Sequence, residues 1–240
     1  MKNAAFGWIF ALMLCTLPQV SWAHFGMVIP SDTMVTEQDQ RSVSLTLSFS
    51  HPFERVGMPL VKPKGMQVFV NGKPQDLLPA LKETTVFDHP AWTADYAIQR
   101  PGVYKFVMEP HPYWEPAEDC FIVHYTQTVV TAFGDDEGWD AELGLPTEIV
   151  PLSKPFALYS GNLFQGVVKV AGKPVPYAEV EVEYYNENAA QAVQAPTGYM
   201  VTQTVKADGN GVFSYAVPAP GWWGFAALNT ADDTIAHDGV

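Results

Sequence analysis

Ser42-Val43-Ser44-Leu45-Thr46-Leu47-Ser48-Phe49-Ser50, residues 42–50, places an apolar side chain at every second position. A strand sends successive side chains to opposite faces, so this period marks a strand with one face buried and one wet. Working outward, further strand-like runs recur at short spacing: 67–70, 93–98, 102–109 and 121–132. Turn residues separate them, including Asn71-Gly72 and Pro101-Gly102. No long stretch carries helical periodicity, and 20 prolines are scattered along the chain. Many short strands joined by tight turns predict an all-β protein built as a sandwich.

The pattern breaks between Phe133 and Ser153, where Gly134-Asp135-Asp136-Glu137-Gly138 and Gly144-Leu145-Pro146 read as a crossover. Strand-like runs resume at 163–170, 178–185, 200–206, 211–217 and 224–228. Gly172-Lys173-Pro174 and Asp208-Gly209-Asn210-Gly211 punctuate them as turns. We therefore expect two β-sandwich domains, an immunoglobulin-like one over residues 24–150 and a second over residues 151–240. Residues 166–226 resemble the small prealbumin-like sandwich of many exported proteins. The resemblance rests on Gly166-Val167-Val168, Gly172-Lys173-Pro174-Val175-Pro176, Ala178-Glu179-Val180-Glu181-Val182, Asp208-Gly209-Asn210-Gly211-Val212-Phe213 and Gly221-Trp222-Trp223. That pattern implies a fold and says little about chemistry.

The first 23 residues read as a secretory signal peptide. Lys2 supplies a positive start, an apolar run follows from Ala4 to Leu17, and Ser21-Trp22-Ala23 closes with small residues around the cut. The run is shorter than the roughly 20 residues of a membrane span. Cleavage after Ala23 leaves 217 residues beginning at His24, with 12 basic against 26 acidic residues, a net charge of −14. Such acidity opposes binding to nucleic acid, whose phosphates need basic surface, and favours cations. Of the two cysteines, Cys15 falls in the peptide, so Cys120 is left without an intramolecular partner. Leu14 stands before Cys15 where a lipidation box wants a small residue. The expected destination is the periplasm.

Five of six histidines lie before residue 125: His24, His51, His89, His111 and His124. His237, near the end, reads as an exposed tail residue. A free N-terminal histidine carries two nitrogens, the α-amine and imidazole Nδ1, that close a six-membered chelate on one ion. The amine's pKa near 8 makes its deprotonation cheap, and such donors suit nickel, copper and zinc. The other N-terminal copper and nickel motif needs histidine at mature position three, which here is Gly26. His51 ends a strand and opens His51-Pro52-Phe53-Glu54. Taken alone it is as readily a hydrogen-bonded strand end as a ligand. The stretch Glu109–Tyr125 gathers four carboxylates, two histidines and Cys120. Its Tyr113-Trp114 and prolines equally suit a rigid packed loop, His124 a core position, Cys120 a small hydrophobe and His89 an exposed turn. No nucleophile elbow, Cys-His protease signature, phosphate loop or HExxH occurs, so no enzyme is expected.

Read in order, "AHFGMVIPS" (23–31), "SHPFE" (50–54) and "PGVYKFVMEPHPYWEPAEDCFIVHYTQTVV" (101–130) resemble a family of exported β-sandwich proteins. That family carries an uncharacterised-domain label and is associated with the nickel-transport component NikM. Its members often neighbour energy-coupling-factor nickel or cobalt importers. The resemblance implies roles for His24, His51, Glu54, Tyr113, Trp114, Glu115, Glu118 and His124. It departs at His111 and at Gln127, which stands in place of a basic residue.

The expected function is therefore periplasmic binding of a divalent transition metal, Ni(2+) first and Co(2+) second, with Cu(2+) or Zn(2+) also suited to the donors. The ion would pass to a membrane importer of the energy-coupling-factor type. His24, His51 and His124 supply nitrogens, with a further donor from His111, Glu115 or Glu118. Two rivals follow from the same residues. One is a copper carrier, or a redox enzyme with an N-terminal histidine. The other is a non-metal adhesion or glycan-binding module using Tyr113, Trp114, Trp222 and Trp223.

Overall fold

The structure, a computed structural model, describes residues 24–116, 118–231, 234 and 235. The proposed signal peptide, Cys15 and His237 lie outside the described residues. The fold is all-β. The first half contains β1 (Phe25–Pro30), β2 (Met34–Val35), β3 (Ser42–His51), β4 (Val56–Met58), β5 (Gly65–Val70) and β6 (Lys73–Asp76). It continues with β7 (Lys82–Val86), β8 (His89–Ala97), β9 (Gly102–Glu109), β10 (Tyr113–Glu115), β11 (Cys120–Ile122) and β12 (Thr126–Ala132). The second half contains β13 (Thr147–Pro151), β14 (Leu163–Val170), β15 (Lys173–Pro174), β16 (Glu179–Tyr184), β17 (Gln203–Lys206), β18 (Val212–Ala216) and β19 (Trp223–Leu228). Among the described residues the helices are three single 3-10 turns.

In the first half, β1-β3-β8-β7 form one sheet with β4 added to β3, and β2-β12-β9-β5-β6 form another. Val43, Leu45, Leu47 and Phe49 of β3 meet Met66 and Val68 of β5 and Phe106 and Met108 of β9 in one buried cluster. Each such side chain contributes about 1.5–3 kcal/mol by leaving water, so the alternation in β3 decides which face closes. Strand β9 does not alternate, because seven of its eight residues are buried. Its second face is covered by the crossover and the segment after β13: Trp139 and Phe156 pack on Val103 and Val129, and buried Lys105 donates its Nζ to the Ala141 carbonyl.

In the second half, β13-β14-β15 with β18, and β17-β16-β19, make two smaller sheets around Phe164, Val168, Val180 and Phe213. Strand β13 spans the expected boundary at 150/151 and pairs with β14. The single strand expected over 121–132 is instead two, β11 and β12, with residues 123–125 between them outside any strand.

The two halves touch along β1. Phe25 and Met27 pack with Tyr185 and Ala226. Gly224 makes this possible, since a Cβ there would lie 2.9 Å from the Phe25 ring. The opposite edge of β1 is closed from within its own half. The Thr126 and Thr128 hydroxyls donate to the Gly26 and Val28 carbonyls at 2.7 and 2.6 Å.

Candidate functional site

The antiparallel register of β1 on β3 pairs Phe25 with Ser50 and Gly26 with Phe49. One step further, His24 comes beside His51, and their rings lie 4.5 Å apart. His51 shares the parity of Leu45, Leu47 and Phe49, so it points inward and is only 5% exposed. Pro52 then prevents further pairing and turns the chain away. The β10–β11 hairpin closes the site from a third direction. It buries Glu115, 7% exposed, and sets its Oε2 3.2 Å from His24 Nε2. The Tyr113 ring of the same hairpin stands 5.5 Å from His24 and 5.0 Å from Phe49.

His124 enters from the segment that joins β11 to β12. Its ring packs 5.3 Å from Phe49, which itself stands 5.7 Å from His24. Close approach to β1 requires Gly26, where a Cβ would sit 3.0 Å from the His124 Cβ. His124 Nε2 is buried with no hydrogen-bond partner. Among the described residues, Ser50 Oγ is the other buried side-chain atom so placed. An unpaired buried polar atom costs about 1–3 kcal/mol, which makes this nitrogen an exception that a ligand would explain.

The electrostatics favour neutral imidazoles. Burial holds the His124 pKa down at about 4, with His24 adding to the effect. Burial lowers His24 as well, followed by the His51 charge, while Glu115 and Glu118 oppose both. At neutral pH His124 is therefore uncharged, with one ring nitrogen carrying a free lone pair. Burial also raises the Cys120 thiol, assisted by the Glu118 charge, so a thiolate ligand is disfavoured there.

The remaining sequence candidates sit further out. Glu118 is exposed on the hairpin turn and reaches His24 by charge. His111 is exposed, and Glu54 is exposed on the loop after His51. Trp114 packs edge-on to Phe121 at 4.9 Å. Trp223 packs on Tyr184 and Tyr215 in the second half. His89 opens β8 and is half-buried rather than an exposed turn residue. Among the described residues, no three His, Cys, Asp or Glu side chains meet in a ready-made metal cluster.

Two contributions escaped sequence reasoning. The first is Phe49, the ring against which His24, Tyr113 and His124 all pack; its parity with His51 was the available signal. The second comes from the other half of the chain. Asn186 donates Nδ2 to the Phe53 carbonyl at 2.6 Å, and its backbone N–H donates to Pro52. Glu183, wholly buried, accepts from the Phe53 N–H at 3.3 Å and from the Thr202 hydroxyl. Arg55, in the left-handed region at φ 62°, donates to the Asn186 and Glu187 carbonyls and lies over the Phe87 ring. The loop that carries His51 is thus pinned from outside its own sheets. Gln127 likewise bridges the halves by donating to the Ile149 carbonyl.

Beside His124 a cavity of about 300 Å³ opens between β1, β9 and the approach to β10. Leu60, Met108, Pro110, Tyr113 and Trp114 form most of its wall, with His111 and Val61 at the rim.

No curated protein matches the chain. Among solved structures it is similar to a Bacteroides ovatus protein, the mixed-linkage glucan utilization locus SGBP-B in complex with a mixed-linkage heptasaccharide. The identity is 12%, the TM-score 0.19, and the match covers 83% of this chain and 52% of that one. It is also similar to BcpA, the major pilin subunit of Bacillus cereus, at 10% identity and TM-score 0.19, covering 89% of this chain and 62% of that one. The chain thus spans less than two thirds of either neighbour, and likeness at these TM-scores carries no argument. Residues 21–231 match the domain of unknown function DUF4198, and the chain belongs to that family.

Proposed function

We propose that this protein is an exported carrier of a divalent transition metal, nickel or cobalt, that works in the periplasm and hands the ion to a membrane importer of the energy-coupling-factor type. It does so as two sandwich domains, immunoglobulin-like and prealbumin-like. One observation carries the reading: His24 and His124 pack against the Phe49 ring, His51 stands against His24, and the buried Nε2 of His124 has no partner. A metal-binding histidine is usually oriented by a carboxylate on its other nitrogen. Glu115 stands in that relation to His24 Nε2, which leaves Nδ1 to close a chelate with the α-amine. Glu115 is then a positioning residue. His51 and His124 bring the nitrogen count to four, and Glu118 supplies negative charge at the mouth.

The amine ligand exists only after the bond to Ala23 is cut, and its arrival completes the donor set. Nitrogen donors without a thiolate also suit copper, which binds above nickel at any such site. The choice of nickel or cobalt therefore rests on the family resemblance. The decisive experiment compares protein beginning at His24, verified by mass spectrometry, with protein carrying one extra Ala before it. Nickel affinity, read by isothermal titration, falls at least tenfold in the extended form, because an amide replaces the amine. Equal affinities would overturn the site.

A further inference from the structure

We propose that the ion enters already bound to a small, uncharged nitrogen-donor heteroaromatic chelator whose rings fill the cavity beside His124; this rests on the metal-binding reading above. A bare ion held by imidazoles has no use for an apolar chamber. Its hydration water would face Leu60, Met108, Pro110 and Trp114, which offer no hydrogen bonds from their side chains to replace those lost, apart from the indole N–H. An organic ligand around the ion meets those walls favourably. The size is apt. A cavity of about 150 Å³ holds benzene, so about 300 Å³ admits two linked six-membered rings. Tyr113 and Trp114 offer ring faces and edges for stacking, and Pro110 and Pro112 stiffen the wall, so little ordering is needed on binding.

Charge selects among chelators. Glu115 and Glu118 both act on His24 by charge, and the chain after residue 23 carries −14. A polycarboxylate complex, neutral or anionic overall, is repelled or gains nothing from this field. An uncharged nitrogen donor leaves the full +2 on the ion and is attracted. His124 Nε2, buried and unpaired in the same wall, fills a coordination position that the chelator leaves open.

The test uses the full mature chain and three titrants: aqueous nickel, the one-to-one nickel–2,2′-bipyridine complex, and nickel citrate. The bipyridine complex binds at least tenfold more tightly than the aqueous ion, citrate binds more weakly than either, and bipyridine co-elutes with protein at one per chain. Val61→Trp, at a rim position 61% exposed and so harmless to the core, abolishes the gain for the bipyridine complex and leaves aqueous nickel within twofold. Equal affinity for ion and complex, an unaltered gain in Val61→Trp, or metal-free bipyridine binding as tightly as its complex would each overturn the proposal while the metal site stands. Failure of nickel to bind in any form would overturn the metal site and the proposal together.

Discussion

Both halves of the chain bury polar groups, and one in the first half is treated differently from its counterparts in the second. In the second half, Asn186 and Glu183 lie deep in the structure, yet protein groups meet their side-chain atoms: Phe53, Val193 and Thr202 are their partners. In the first half, the buried Nε2 of His124 has no protein partner. A satisfied buried group fixes geometry, and an unsatisfied one is a cost that binding can recover. On the proposed reading, the contrast assigns architecture to one half and ligand capture to the other, with the His51 loop as the point where they join.

The largest expected effect comes from cutting that join. Asn186→Ala strands the Phe53 and Val193 carbonyls and the Val193 N–H. It should cost about 3 kcal/mol, read as a fall in Tm of roughly 6–12 °C. An unchanged Tm would mean the loop is held by other contacts and the two halves do not differ as described.

Next in size is Glu183. Burial raises its pKa from 4.5 to about 7, against the Thr202 and Phe53 hydrogen bonds that lower it. The folded state therefore holds a proton that the unfolded chain releases. Stability from this group is present below pH 4.5 and is lost as pH rises to 7. Glu183→Gln removes the loss, and the Thr202 hydroxyl can turn to accept from the new amide. The variant should exceed the parent by up to about 3 kcal/mol at pH 8, with no difference at pH 4.5. Chemical denaturation at both pH values checks it, and a gain of equal size at both would refute the assignment.

His124 should show the opposite slope in metal-free protein. Its folded pKa of about 4 lies below the ordinary 6.5, so its contribution is present above pH 6.5 and lost as pH falls toward 4. The two slopes oppose each other between pH 4.5 and 6.5, and His124→Phe should tilt the stability curve downward with rising pH there. His51→Ala and His124→Ala should each weaken nickel binding at least tenfold, or about 1.4 kcal/mol. A variant pair with unchanged affinity would return both rings to packing roles.

Smallest is Thr128→Val, which removes the hydroxyl that caps the Val28 carbonyl far from the rings. It should cost about 1 kcal/mol of stability and leave nickel affinity untouched. A loss of affinity here would show that β1 moves as a unit.

Much of the fold was legible because apolar alternation is a local signal. The run at 42–50 became β3 with one added residue, and 102–109 and 163–170 became β9 and β14 with the same ends. Short strands such as β2, β4 and β15 carry two or three residues and too little pattern to read. Strand β1 was hidden because Gly26, Pro30 and a run of apolar residues obscure its period. At the site, the sequence marked His24, His51, Glu115 and His124 by residue type. It could not show Asn186 or Glu183, whose relevance comes from contacts spanning 133 and 130 residues. Nor could spacing tell that His111 would stand at a cavity rim while His124 faced Phe49.

On the proposed processing, the pairing of β1 with β3 imposes an order on biogenesis. Hydrogen-bonded register begins at Phe25, one residue past the proposed cut, and His24 is already wedged against His51 and Glu115. A peptidase needs several residues of slack, extended chain on both sides of the bond it hydrolyses. On the proposed processing, that slack ends once β1 closes onto β3. Cleavage must then outrun folding, and a chain that folds first would lock its leader in place and never gain the terminal amine.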